Sequence, residues 1–204
     1  MSDTITTEAQ LKALFGAVGS ASIAKETARL HPVYQSWIQA SPFAVLATLG
    51  EGGLDVSPRG DAAPLVRIVN DKCLWLPERR GNNRVDGLRN ILQDPRVALI
   101  FFIPGIRETI RVNGRAAISV KPSKLQSFAV NGAVPQCVLE ITVDTVFFQC
   151  GRALLRSGLW DFGQHRQASE VPSAGAILSA LTNAGIDATA YDLELPARQA
   201  NTLY

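Results

Sequence analysis

Trp75-Leu76-Pro77-Glu78-Arg79-Arg80-Gly81-Asn82-Asn83-Arg84 decides how the rest of the chain is read. The run that leads into it, Cys73 to Leu76, is short and apolar and reads as a strand. On its far side Val85, Leu88, Ile91 and Leu92 are apolar at spacings of three, three and one, the pattern of a helix face. Three arginines, a glycine and two asparagines therefore stand at a strand-to-helix junction. A helix start exposes N–H groups that have no intrahelical acceptor, and it carries the positive end of the helix dipole. Arginine adds a permanent planar charge whose fork matches phosphate. Asn82 or Asn83 is expected to cap the helix, and Gly81 to let a ligand approach the backbone. This is the chemistry of a phosphate cradle. The competing reading is a solvated basic turn before an ordinary capped helix.

Ser57-Pro58-Arg59-Gly60-Asp61 lies one strand earlier, after the apolar segment Phe43 to Leu49. Its composition suits a backbone that turns and exposes polar edges beside a planar ligand. Strand patterns run through the middle of the chain: Phe43–Leu49, Leu54–Ser57, Leu65–Val69, Cys73–Leu76, Val97–Phe102, Thr109–Ile118 and Cys137–Phe147. Asn70-Asp71 supplies a turn between two of them. Helical patterns interrupt the series near Asn83–Gln93 and Pro122–Ala129. At least six strands with few crossover helices predict an antiparallel barrel rather than a doubly wound sheet. No GxGxxG comes after the first strand, so a Rossmann site is not supported.

Before the strands, Thr7 to Leu30 reads as one or two helices with Leu11, Leu14, Phe15 and Val18 on an apolar face. His31-Pro32 breaks that pattern, and Val33 to Ala40 is a further short helix. After the strands, the tail holds one helix, Ala174–Ala184, and then polar, proline-containing chain. The expected organisation is one domain over residues 1–204, with N-terminal helices at 7–40 and a helical and loop tail at 161–204.

Of the 204 residues 47% are hydrophobic, enough for a full core, and a net charge of +2 argues by itself neither for nor against nucleic acid. Cys73, Cys137 and Cys150 form no CxxC pair and sit in or beside apolar runs, so buried free thiols in a reducing cytoplasm are expected. No signal peptide is evident, and no apolar run approaches the ~20 residues that span a bilayer. His31 and His165 have no partner spaced for a metal or a nucleophilic triad, so no metal site is expected.

Taken in order, Ser57-Pro58-Arg59-Gly60-Asp61, Arg79-Arg80-Gly81-Asn82-Asn83-Arg84, Leu88 to Val97, Ile103-Pro104-Gly105, Glu108 to Ala116 and Arg156-Ser157-Gly158-Leu159-Trp160 resemble the flavin-binding split-barrel family that includes pyridoxamine 5′-phosphate oxidase. The resemblance covers Pro32 to Trp160 and is nearest to a bacterial branch of FMN-dependent enzymes without an assigned substrate. The vitamin B6 enzyme has a shorter, Ser-Arg-Lys type phosphate loop and a different C-terminal segment. The flavin inference therefore transfers better than the substrate.

The resemblance implies a mainly β, antiparallel split barrel with flanking helices, and FMN at the interface of a homodimer. The compact arginine cluster suits a terminal phosphate and hence FMN rather than FAD. Arg84 and one of Arg79 and Arg80 would hold that phosphate, with Asn82 and Asn83 beside them. Ser57, Arg59, Gly60 and Asp61 would border the ring, Arg59 and Asp61 either facing the flavin or pairing with each other in a turn. Thr109 aligns with a flavin-contacting position, and Ser157 and Trp160 belong to a closing segment that the family places at the cofactor. The implied activity is hydride transfer through flavin with a small organic molecule. A non-catalytic FMN carrier or redox sensor is the alternative. A basic barrel that binds nucleic acid is disfavoured, because the strands lack interleaved aromatics and lysines.

Overall fold

A computed structural model describes residues 3–204. Three helices open the chain: α1 (Glu8–Phe15), α2 (Ser20–Ala24) and α3 (Pro32–Gln39). Thr7 and Gln10 form a reciprocal capping box at α1, and the His31 side chain accepts from the Val33 amide at α3, where Pro32 takes the first turn. Seven strands come next: β1 (Phe43–Gly50), β2 (Gly53–Gly60), β3 (Arg67–Asn70), β4 (Cys73–Glu78), β5 (Arg96–Phe102), β6 (Thr109–Ser119) and β7 (Cys137–Gln149). Helix α4 (Asp86–Gln93) interrupts them after β4 and α5 (Pro122–Gln126) after β6. The chain ends in α6 (Arg152–Ser157), α7 (Ala174–Leu181) and α8 (Ala188–Asn201).

All neighbouring strands pair antiparallel in the order β2-β1-β5-β6-β7-β4-β3. The ladder does not close on itself, as a split barrel requires. Alternation carries the fold: Ala44, Leu46 and Thr48 of β1 point inward, as do Val97, Leu99 and Phe101 of β5. They meet Leu74, Leu76, Ile110, Val112, Leu139 and Ile141 in one core, which α3 covers with Ile38 and α4 with Ile91. A bulge shifts the β6–β7 register between Asn113 and Gly114. Glycine is required there, since a Cβ on Gly114 would lie 2.2 Å from the Thr142 carbonyl oxygen.

Four sequence-based expectations are corrected. Ser57 to Gly60 is the end of β2 rather than a turn. Helix α4 starts at Asp86, and its N-cap is Val85, left-handed at φ 50° with no side-chain cap. Neither Asn82 nor Asn83 caps it: the Asn82 side chain accepts the nearer Arg84 amide, and Asn83 is itself left-handed at φ 60°. The tail holds α8 beyond the expected helix, with Pro196 inside it and Asp187 capping it through the Ala190 amide. Finally, Cys137 is buried and Cys73 partly so, but Cys150 is exposed.

Candidate functional site

The edge strand β2 and the C-terminal end of β4, which runs on past its pairing with the short edge strand β3, meet through side chains instead of backbone bonds. Arg59 reaches inward from β2, and its Nε donates to Glu78 Oε1 of β4 at 2.7 Å. Its Nη1 donates to Ser57 Oγ at 2.9 Å. One step further, Arg79 Nη2 lies 2.7 Å from Asp61 Oδ2, and Arg79 Nη1 donates to the Phe128 carbonyl at 2.8 Å. Both ion pairs are largely shielded: side-chain exposure is 17% and 14% for Arg59 and Glu78, and 15% and 8% for Arg79 and Asp61. Arg59 and Asp61 do not pair with each other, because each finds an opposite charge across the split.

A cavity of about 410 Å³ opens at this split. That is within the range of small-molecule sites. Ser57, Arg59, Gly60, Asp61, Arg79, Arg80, Asn82, Asn83 and Arg84 all line it. Thr109, Ser157 and Trp160 do not. Thr109 is buried beside Gln149, at the far end of β7 from the cavity-lining Cys137. Its neighbour Ile110 is in register with Phe101, Ala44 and the cavity-lining Arg59 across three strand pairings. Trp160 Nε1 donates to the Ile106 carbonyl at 2.8 Å, and Ser157 Oγ to the Leu154 carbonyl at 3.1 Å.

The arginines of the cavity divide by their partners. Arg59 and Arg79 are engaged across the split. Arg84 is 77% exposed, and its Nε donates to Asp86 Oδ2 at 2.8 Å. That hydrogen bond, above all, raises the Arg84 pKa and lowers that of Asp86. Arg80 is exposed and, among the described residues, has no hydrogen-bond or ion-pair partner. Beside it the amides of Gly81, Asn82 and Asn83 find no acceptor among the described residues. A Cβ on Gly81 would meet nothing within 4 Å. The uncapped first turn of α4 borders the same space, with Asp86 and Gly87 in the lining. A free guanidinium, three free amides and a bare helix start form a donor set for an anion.

Sequence reasoning did not find Asp55, Glu78, Asp86, Gln136 or Cys137 in the lining. Glu78 and Asp86 flank the arginines in the chain and were available as partners. Gln136 is remote from them and carried no signal. Burial, and after it the nearby Glu78 charge, pushes the Cys137 thiol up to about 11. Among the described residues no cluster of histidine, cysteine and carboxylates could hold a metal, and no helix is long and apolar enough to cross a membrane.

Among known proteins, HupZ of Group A Streptococcus has a similar structure, at 19% identity and a TM-score of 0.46 over 55% of this chain and 89% of its own. General Stress Protein 26 from Bacillus anthracis str. Sterne is similar at 19% identity and a TM-score of 0.43, over 56% and 88%. A FAD-binding protein from Mesorhizobium loti is similar at 17% identity and a TM-score of 0.39, over 60% and 96%. No curated protein matches the chain. The model of the pyridoxamine 5′-phosphate oxidase family matches residues 30–150. Those residues are more than half of the 204 and contain all seven strands, and the chain belongs to the pyridoxamine 5′-phosphate oxidase family.

Proposed function

We propose that the chain binds FMN at the split and acts through it as an oxidoreductase on a small organic molecule. The observation that carries this is the unpartnered Arg80 beside the free amides of Gly81, Asn82 and Asn83. In this reading Arg80 and Arg84 take the phosphate, since Arg79 is engaged by Asp61 and Phe128. The ring lies along Ser57 to Asp61. Strand β2 is a sheet edge, paired only with β1, so its outer backbone groups are free to meet the edge of a planar ligand. Arg59 is held by Glu78 and Ser57, which fixes a positive charge near that ring. The flavin, when bound, supplies hydride transfer, and the protein orients the reactants and excludes water.

A two-fold homodimer is part of the proposal, with FMN between the copies. Val45, Ala47 and Leu49 of β1 face outward beside Pro58, Val56 and Leu54 of β2, and Ala98 and Ile100 of β5 continue the face. Leu54 is 80% exposed and Val56 63%. Asn113 lies opposite Ala98 on that face, and its Oδ1 is buried without a partner among the described residues. Such a face is suited to a second copy. Thr109, Ser157 and Trp160, which lie outside the cavity lining of one chain, would then serve the cavity of the other.

Titration with FMN, FAD and riboflavin, monitored by flavin fluorescence and melting temperature, tests the reading. The expected result is FMN bound at least ~10-fold more tightly than riboflavin, with a raised Tm. A Tm indifferent to excess FMN refutes it. Light scattering should give twice the 21.9 kDa chain mass. The second reading, an FMN carrier or redox sensor without turnover, is favoured by one observation: among the described residues no histidine lines the cavity. Reduction by NADH or NADPH and then an acceptor screen separates the two.

A further inference from the structure

The C-terminal arm returns to the split. Helices α7 and α8 pack on each other: Gly175 lies against the Ala188 carbonyl, and its amide donates to Asp192 Oδ1 at 2.8 Å. Beyond α8, Tyr204 Oη donates to Asp61 Oδ1 at 3.0 Å, across 143 residues of sequence. The Tyr204 ring lies 5.1 Å from the Arg79 guanidinium carbon. Asp61 therefore accepts from Tyr204, from its neighbour Ala62 and from Arg79 at once.

We propose that Tyr204 is a positioning residue for the ligand of the split, delivered by the C-terminal arm. Asp61 ends one wall of the cavity and Arg79 begins the other, and no backbone ladder joins the two strands. Their ion pair, together with that of Arg59 and Glu78, sets the gap. Tyr204 covers the face of Arg79 and adds a donor to Asp61, so it shields the pair from water and strengthens it. It also keeps Arg79 turned towards Asp61, which leaves Arg80 as the free guanidinium. The arm makes no strand pairing, so it can lift without opening the sheet.

The proposal rests on the flavin reading for its ligand, and the test has one measurement with ligand and one without. In the first, FMN and riboflavin are titrated into wild type, Tyr204→Phe and Tyr204→Ala. Tyr204→Phe should raise the Kd of both flavins roughly fivefold. Tyr204→Ala should add about threefold more, through faster dissociation. Equal loss for both ligands marks an effect on wall spacing rather than on phosphate. Unchanged Kd values in Tyr204→Ala overturn the proposal. In the second, hydrogen exchange of the ligand-free protein is measured at residues 61–62 and 79–84. Tyr204→Ala should speed it there, with exchange in β5 to β7 unaltered. If wild type binds no flavin, the flavin reading fails, and this exchange decides alone: faster exchange supports the positioning role and unchanged exchange overturns it.

Discussion

Arg79 and Arg80 are adjacent, and their replacement by alanine should have opposite consequences. Arg79 gives Nε and Nη2 to Asp61 and Nη1 to the Phe128 carbonyl, with side chains 15% and 8% exposed across the pair. Removing one member of a buried pair costs about 3–5 kcal/mol, because the other charge is left unmatched. Here Asp61 keeps the Ala62 amide and the Tyr204 hydroxyl as donors. The expected cost of Arg79→Ala is therefore lower, about 2–3 kcal/mol. For a chain of this length that lowers Tm by roughly 4–12 °C. Arg80 has no partner among the described residues, so Arg80→Ala should leave stability within ~0.5 kcal/mol. Its effect should fall on FMN instead, raising Kd about 10- to 100-fold. Urea melts and flavin fluorescence titrations on both variants give the two numbers. The assignment is refuted if Arg80→Ala melts as early as Arg79→Ala, or if Arg79→Ala leaves Tm unchanged.

Arg84→Ala should weaken FMN about 10-fold and leave riboflavin nearly unaffected, measured by the same titration; equal losses would make Arg84 structural. A thiol titration of the native protein at pH 8 should find one fast-reacting cysteine per chain, Cys150, because burial holds Cys137 at about 11 and raises Cys73 as well. The hydrogen bond to Asp61, then the charge of that carboxylate, hold the Tyr204 phenol above its ordinary 10.0. Its folded pKa thus exceeds the unfolded one, so its contribution to the clasp is complete below about pH 10 and is lost as pH rises through the folded value. Difference absorbance of wild type against Tyr204→Phe should show one late-titrating tyrosine.

Strands β1 and β5 were legible because they bury alternate residues: Ala44, Leu46 and Thr48 inward from β1, Val97, Leu99 and Phe101 from β5. The family pattern grouped the arginine loop with Ser57–Asp61, and both segments line one cavity. The ion pairs that join them were not, since the partners stand 19 and 18 residues apart and no local spacing records such a contact. The start of α4 was misplaced because asparagine before a helix usually caps it, whereas Asn82 here satisfies the closer Arg84 amide. Helix α8 was hidden by Pro196, whose missing N–H deprives only the Asp192 carbonyl four residues earlier of a donor. Tyr204 gave no sign of its partner at all.

The end of β4 explains why two neighbouring arginines should divide their work. Glu78, the last residue of β4, turns to Arg59 across the split, and the chain then leaves the ladder. Arg79 crosses to Asp61 and Phe128, whereas Arg80 emerges on the rim with no partner among the described residues. A ladder closed on itself would have joined the edge strands β2 and β3 by backbone bonds and left no such gap. Because the closure is made by side chains, the same few charges hold the fold and shape the cavity. A substitution at Arg59, Asp61, Glu78 or Arg79 therefore acts on stability and on ligand together. Arg80 and Arg84, which among the described residues hold nothing across the split, can be altered to probe the ligand alone.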